Sequence, residues 1–157
     1  MLGKPKILFF ANTLWFLQTF KLKLIEHLAE NSDVYCLYLK LGPPVNETLT
    51  EQLRSKGVNF QKLTLALVIR LIGTQCINFK RIKMLPLNPE KLIIFTSIPI
   101  LLSNIIFFRY IDKTIYVLEG LGRIFSSRKL FYRAIKRLII PIYRLMFTKC
   151  FKICTLN

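Results

Sequence analysis

Residues 7–11, Ile-Leu-Phe-Phe-Ala, are apolar without interruption, so a strand built from them has no side to turn toward water. Such a strand belongs in a parallel sheet covered by helices on both faces, whereas a half-wet antiparallel strand alternates. Further strands are expected at 34–39, 92–95 and 114–118, which are largely apolar, and at 58–63 and 151–156, which are more mixed, each separated from the last by a helical or turn-rich stretch. The spacing predicts helices over 15–29, 46–56, 99–110 and 127–148, with Gly57 closing the second and Pro99 near the start of the third. Residues 64–90 are expected to form a short helix and a connection, carrying the basic patch Lys80-Arg81-Ile82-Lys83. Strand and helix alternating along the whole chain give an α/β fold: a Rossmann-like, doubly wound parallel sheet with right-handed crossovers.

A chain of 157 residues suits one domain, which buries roughly 70% of its unfolded surface and needs no disulfide. With 53% hydrophobic residues it does not have the composition of a disordered chain. Its 24 Lys and Arg against 8 Asp and Glu, a net charge of +16, attract phosphate in some form. No acidic residue follows Glu119, so the positive field has a source in the C-terminal part. Nucleic acid is not the expected partner, because the aromatics are mostly Phe in buried-looking runs and no RNA- or DNA-binding motif is present. Cys36, Cys76, Cys150 and Cys154 form no CxxC pair, so no metal and no cofactor are expected. The apolar run after the N-terminal lysines stops at Asn12, too soon for a signal peptide, and a cytoplasmic location is expected. A membrane span over 92–108 is the rival to strand, break and helix there, but Thr96, Ser97, Pro99, Ser103 and Asn104 interrupt it.

Doubly wound sheets bind ligands beyond the carboxyl ends of their strands. Those ends carry Asn12, Thr13, Trp15 and Phe16 after the first strand, Thr96 and Ser97 after the fourth, and Glu119, Gly120, Gly122 and Arg123 after the fifth. An amide, an indole and further aromatics suit a sugar, whose hydroxyls need polar partners and whose C–H face packs on rings. Alternatively Trp15, Phe16 and Phe20 anchor the first helix. Gly120 and Gly122 permit close approach of a ligand, though they are not a GxGxxG fingerprint. Glu119 is a possible base or hydroxyl acceptor, or else the ion-pair partner of Arg123 or Lys21. His27 lies on a solvated stretch of helix, and no Ser/His/Asp or Cys/His arrangement can be assembled around it.

Three segments of this chain, in order, resemble a known family. Lys6 through Leu17, followed by Phe20-Lys21, is similar to the opening of bacterial family 4 glycosyltransferases, which build capsule, O-antigen and other glycans. Thr96-Ser97-Ile98-Pro99 resembles their Thr-x-x-Pro, and Glu119-Gly120-Leu121-Gly122-Arg123-Ile124-Phe125-Ser126-Ser127 resembles their Thr-Gly-Leu-Gly-x-x-Phe stretch, with Glu119 in place of Thr. The resemblance implies that residues 1–157 are the N-terminal, acceptor-side half of a retaining GT-B enzyme, without the nucleotide-sugar domain. It implies transfer from a nucleotide sugar, UDP-linked, to a lipid-linked glycan, with this half inactive alone and a nucleotide sugar bound only with a donor domain. The acceptor-binding set is then Asn12, Trp15, Phe16, Lys21 and Thr96, together with Glu119, Gly120, Gly122 and Arg123; no catalytic residue is assigned. The alternative is a small basic peripheral membrane module without transferase activity.

The last helix carries the membrane expectation. Lys129, Arg133, Lys136, Arg137 and Arg144 fall on one side, while Leu130, Ala134, Leu138, Ile142 and Leu145 tend to another. The basic side is expected to meet an anionic membrane at the inner face of the plasma membrane, and the apolar side to pack on the sheet. Pro141 is expected to kink the helix without ending it.

Overall fold

The computed structural model describes residues 4–40, 42, 44–64, 66, 67, 69, 89–119 and 130–155. Six parallel strands form one sheet: β1 (Lys6–Thr13), β2 (Asp33–Lys40), β3 (Asn59–Lys62), β4 (Lys91–Phe95), β5 (Thr114–Leu118) and β6 (Lys152–Thr155). Their order is β3-β2-β1-β4-β5-β6. The sequence moves outward from β1 to one edge, then returns to the other side of β1. The order therefore reverses between β1 and β4, where a doubly wound sheet opens its ligand crevice. The fold is Rossmann-like, as the apolar runs predict.

Uninterrupted apolar strands demand cover on both faces, and the helices supply it. One face packs Phe9, Ala11, Val34, Cys36 and Phe95 against helices α1 (Leu14–Phe20), α2 (Leu22–Asn31) and α3 (Glu47–Ser55), through Leu17, Ile25 and Leu53. The other packs Leu8, Phe10, Leu37, Leu92, Ile94 and Tyr116 under α4 (Ser97–Ile106) and α5 (Leu130–Phe147). A 3-10 segment, Phe108–Lys113, joins α4 to β5. Each fully buried Leu or Phe contributes about 1.5–3 kcal/mol of hydrophobic free energy, so this double core drives folding.

Local signals account for most boundaries. Thr13 caps α1, its Oγ1 accepting from the Phe16 N–H at 3.1 Å. Asn46 caps α3, with Oδ1 accepting from the Leu49 N–H at 3.0 Å. At the far end Gly57, with φ at 86°, donates to the Arg54 carbonyl at 2.9 Å and the Val58 N–H to that of Leu53 at 3.0 Å. Those two bonds satisfy carbonyls left open at the helix end, and buried Val58 and Leu53 close the motif.

The structure corrects several expectations. The first helix is two, broken at Lys21 (φ −122°, ψ 4°), and Asn12 and Thr13 belong to β1 rather than to a loop. The third predicted helix ends at Ile106, after which the chain tightens into the 3-10 segment. Residues 92–108 are strand, break and helix, and among the described residues no helix is long and apolar enough to cross a membrane. Pro141 lies within α5, which runs on past it. The expectation for 64–90 falls largely outside the described residues.

The last helix differs most. It meets the sheet through Tyr143 and Phe147: Tyr143 is buried, its hydroxyl donates to the Ser97 carbonyl at 3.2 Å, and Phe147 lies 5.7 Å from the Tyr116 ring. Ile142 and Leu145, expected on the sheet, are 46% and 63% exposed. Aromatic area decides this. Tyr143 and Phe147 bury more surface on Tyr116 than two aliphatic side chains would, and the Tyr143 hydroxyl gains a partner that an aliphatic cannot use.

Candidate functional site

Parallel strands place every carboxyl end on one edge, so the segments after β1, β4 and β5 lie on the same side of the sheet. At the point of reversal, Phe16 of α1 and Phe95, the last residue of β4, face each other with ring centroids 5.8 Å apart. The break between α1 and α2 releases Lys21 from the helix surface. Its Nζ lies 5.6 Å from the Phe16 ring centroid and 5.1 Å from that of Phe95, and it forms an ion pair with Glu119 Oε1. Both side chains are largely sheltered, at 13% and 18% exposure. The pair therefore ties the α1–α2 junction to the end of β5 across the mouth of the crevice. An ammonium over two aromatic faces and against a carboxylate is held by its charge and by the ring quadrupoles together.

Thr96 follows Phe95 directly and caps α4, yet its backbone sits at φ 67° and ψ 155°. That region is essentially reserved for glycine, and a β-branched residue there is strained. Its Oγ1 is buried and has no hydrogen-bond partner among the described residues. A strained hydroxyl without a partner thus stands at the reversal point beside the first N–H groups of α4.

The loop after β2 presses on the same edge. Gly42 has φ at +87°, and a Cβ there would come within 3.1 Å of Trp15 Cβ and 3.2 Å of Thr13 Cβ, so only glycine lets this loop approach. Buried Gln18 holds α1 to α3: its Nε2 donates to Thr50 Oγ1 at 2.7 Å and to the Asn46 carbonyl at 2.9 Å, while its Oε1 accepts from the Asn46 N–H at 3.1 Å. Above this frame stands an aromatic group. Trp15 and Phe20 meet edge to face at 5.6 Å, and Phe16 and Phe20 lie 5.4 Å apart. Phe20 is 58% exposed, so it does not anchor the helix, while Phe16 does pack inward on Phe95.

Of the residues singled out from sequence, Phe16, Lys21 and Glu119 are brought into contact, and Glu119 takes Lys21 as partner. Thr96 follows Phe95, whose ring meets Phe16 and Lys21; half-buried Asn12 and Trp15 sit at the end of β1 and the start of α1. Gly120, Gly122, Arg123 and Lys129 lie outside the described residues, and of Arg133 only the backbone, within α5, is described. Lys136 is half-buried, and Arg137 and Arg144 are exposed. Sequence reasoning missed Phe95, because an aromatic ending an apolar strand looks like ordinary core. It missed the Thr96 backbone as well, since threonine is among the last residues expected at positive φ. Among the described residues no three His, Cys, Asp or Glu side chains gather as a metal site would require. His27 is solvated and 3.9 Å from Glu30.

Fold and crevice together define the class: a Rossmann-like α/β domain with a polar and aromatic crevice at the point of strand reversal. No protein-family model matches the sequence, and no curated protein matches it.

Proposed function

We propose that this chain is the acceptor-binding half of a GT-B glycosyltransferase, receiving a lipid-linked glycan in the crevice and acting with a domain that holds a nucleotide sugar, UDP-linked. One observation carries the reading: the Lys21–Glu119 pair, laid over Phe16 and Phe95 near the Thr96 hydroxyl, which has no partner among the described residues, is a set of groups suited to a sugar next to a phosphate. Glu119 Oε2 and Thr96 Oγ1 offer hydrogen bonds to sugar hydroxyls, Lys21 offers charge to a diphosphate, and Trp15 and Phe20 offer ring surface to a C–H face. The family resemblance falls on these same segments, after β1, β4 and β5, in family order. Transition-state stabilisation of the departing nucleotide belongs to the other domain, so this half transfers no sugar by itself. The net charge of +16 supports a place on the inner face of the plasma membrane, where a lipid-linked acceptor resides.

Backbone amide shifts in neutral bicelles test the reading, with N-acetylglucosaminyl-diphosphopolyprenol as probe and empty bicelles and UDP as controls. The expected result is movement at Thr13, Lys21, Thr96 and Glu119 with the probe alone, and about tenfold weaker binding for Glu119→Gln, in line with a lost hydrogen bond to a charged group. Shifts confined to other surfaces, or a crevice that answers to UDP alone, would overturn it.

A second reading, a peripheral membrane module without transferase activity, is favoured by the outward apolar residues of α5. It requires membrane binding with no response of the crevice to the glycolipid.

A further inference from the structure

The helix that closes the sheet shows two different stripes to solvent. Tyr143 and Phe147 fix which side of α5 faces the sheet. Leu145 follows Tyr143 by two residues, about 200° around a helix that turns about 100° per residue, so it points directly away from the sheet. Ile142, three residues before Leu145, shares that outward side. Arg137 and Arg144, seven apart, lie on a second exposed stripe beside the apolar one, with exposed Ile140 and Pro141 between them. The neighbouring α4, in the same layer and bonded to α5 through Tyr143 and Ser97, exposes Ile98 and Ile105, again seven apart, at 50% and 57%.

The geometry points to a lipid-inserting surface: α5 lies along an anionic bilayer with Ile142 and Leu145 between the headgroups and Arg137 and Arg144 at the level of the phosphates. This deepens the membrane part of the reading above, which asks only that charge meet charge. Three considerations select the occupant. Outward leucine and isoleucine gain nothing from nucleic acid, which would satisfy the arginines and leave the apolar stripe in water. A second copy would bring two faces of the same sign together, since no acidic residue follows Glu119 to pair with the arginines. An anionic bilayer satisfies both stripes at once, acyl boundary against the aliphatics and phosphate against the guanidiniums, which is the layout of interfacial helices.

Vesicle flotation tests this with the whole chain, on phosphatidylcholine vesicles with and without phosphatidylglycerol, in low salt and in about 1 M salt, where the screening length falls to about 3 Å. Binding to the anionic vesicles is expected to survive high salt and to drop at least tenfold in the double variant Ile142→Ser, Leu145→Ser. Arg137→Gln with Arg144→Gln should weaken binding in low salt only. All four side chains are exposed, and circular dichroism melts verify that the variants fold. Leu145→Trp gives a second readout: brominated lipid should quench its added emission. Binding released by salt and indifferent to the serine variant would overturn insertion while leaving electrostatic attachment intact. Absence of binding in low salt would overturn both. A sedimenting dimer that the serine variant converts to monomer would assign the stripe to a second copy and overturn the proposal.

Discussion

Thr96 combines a backbone region that costs about 1–3 kcal/mol for a residue with a Cβ and a buried hydroxyl without a partner among the described residues, worth about another 1–3 kcal/mol. Thr96→Gly removes both and adds back roughly 0.5–1 kcal/mol of unfolded-chain entropy. The variant is therefore expected to be more stable than the natural chain by about 1–5 kcal/mol, read as a higher urea midpoint at unchanged m-value. A lower midpoint would mean that the hydroxyl is bonded and the backbone at ease. Stability given up at a crevice is what function-bearing positions show, so the same variant should respond less to the glycolipid probe. The Lys21–Glu119 pair makes the opposite case. Removing one partner leaves a sheltered charge alone, and Glu119→Gln should lower stability by about 1–2 kcal/mol, between the values for exposed and buried pairs. A double-mutant cycle with Lys21→Met isolates the coupling, and coupling indistinguishable from zero would reduce the contact to proximity.

The elements differ in how openly the sequence announces them. Helix α3 is legible from end to end, because Asn46 caps it, Gly57 stops it, and both signals act through local hydrogen bonds. The four central strands are legible because a run apolar on both sides has few other uses, whereas the edge strands Asn59–Lys62 and Lys152–Thr155 are shorter and mixed. The break at Lys21 is silent: no glycine or proline stands near it, and of its partners only Phe16 is local, while Phe95 and Glu119 come from far along the chain. The rotation of α5 is hidden for another reason. Its apolar residues cover the sheet side and the outward side alike, so periodicity cannot say which of them packs, and only the fit of Tyr143 and Phe147 on Tyr116 decides. The crevice was legible in outline, since parallel strands bring their carboxyl ends together and those ends can be read off. Its Phe95 floor was not. If Tyr143 is what docks α5, Tyr143→Phe should cost about 1 kcal/mol for the bond to Ser97, and Tyr143→Ala about 3–5 kcal/mol. Ile142→Ala, on the outward side, should stay within about 0.5 kcal/mol in urea melts. Equal losses at 142 and 143 would mean that α5 is rotated from the position described.

For the molecule as a whole, charge and burial set opposite dependences on pH. A net charge of +16 repels itself, so at neutral pH added salt should raise the urea midpoint, and loss of lysine protons should relieve the same strain at alkaline pH. Against that stand groups held protonated by burial. Desolvation raises the thiol of Cys36, which is fully enclosed between β1 and β3, and the phenols of Tyr38, Tyr116 and Tyr143. A group whose affinity for its proton is raised by folding leaves stability whole below its unfolded pKa and removes it as pH climbs toward the folded value. The window opens at about pH 8.5 for Cys36 and about pH 10 for the tyrosines. Within it Cys36 alone removes about 1.4 kcal/mol per pH unit, whereas repulsion between exposed charges is screened by salt and each pair contributes little. Burial therefore wins. Urea midpoints in moderate salt should hold level to about pH 8.5 and then fall, more steeply above about pH 10 as the three phenols join. Cys36→Ala should flatten the first part of the fall and spare the second. A midpoint that rises steadily from pH 7 to 11 would mean that self-repulsion of the surface, not the buried sheet, governs the alkaline limit of this fold.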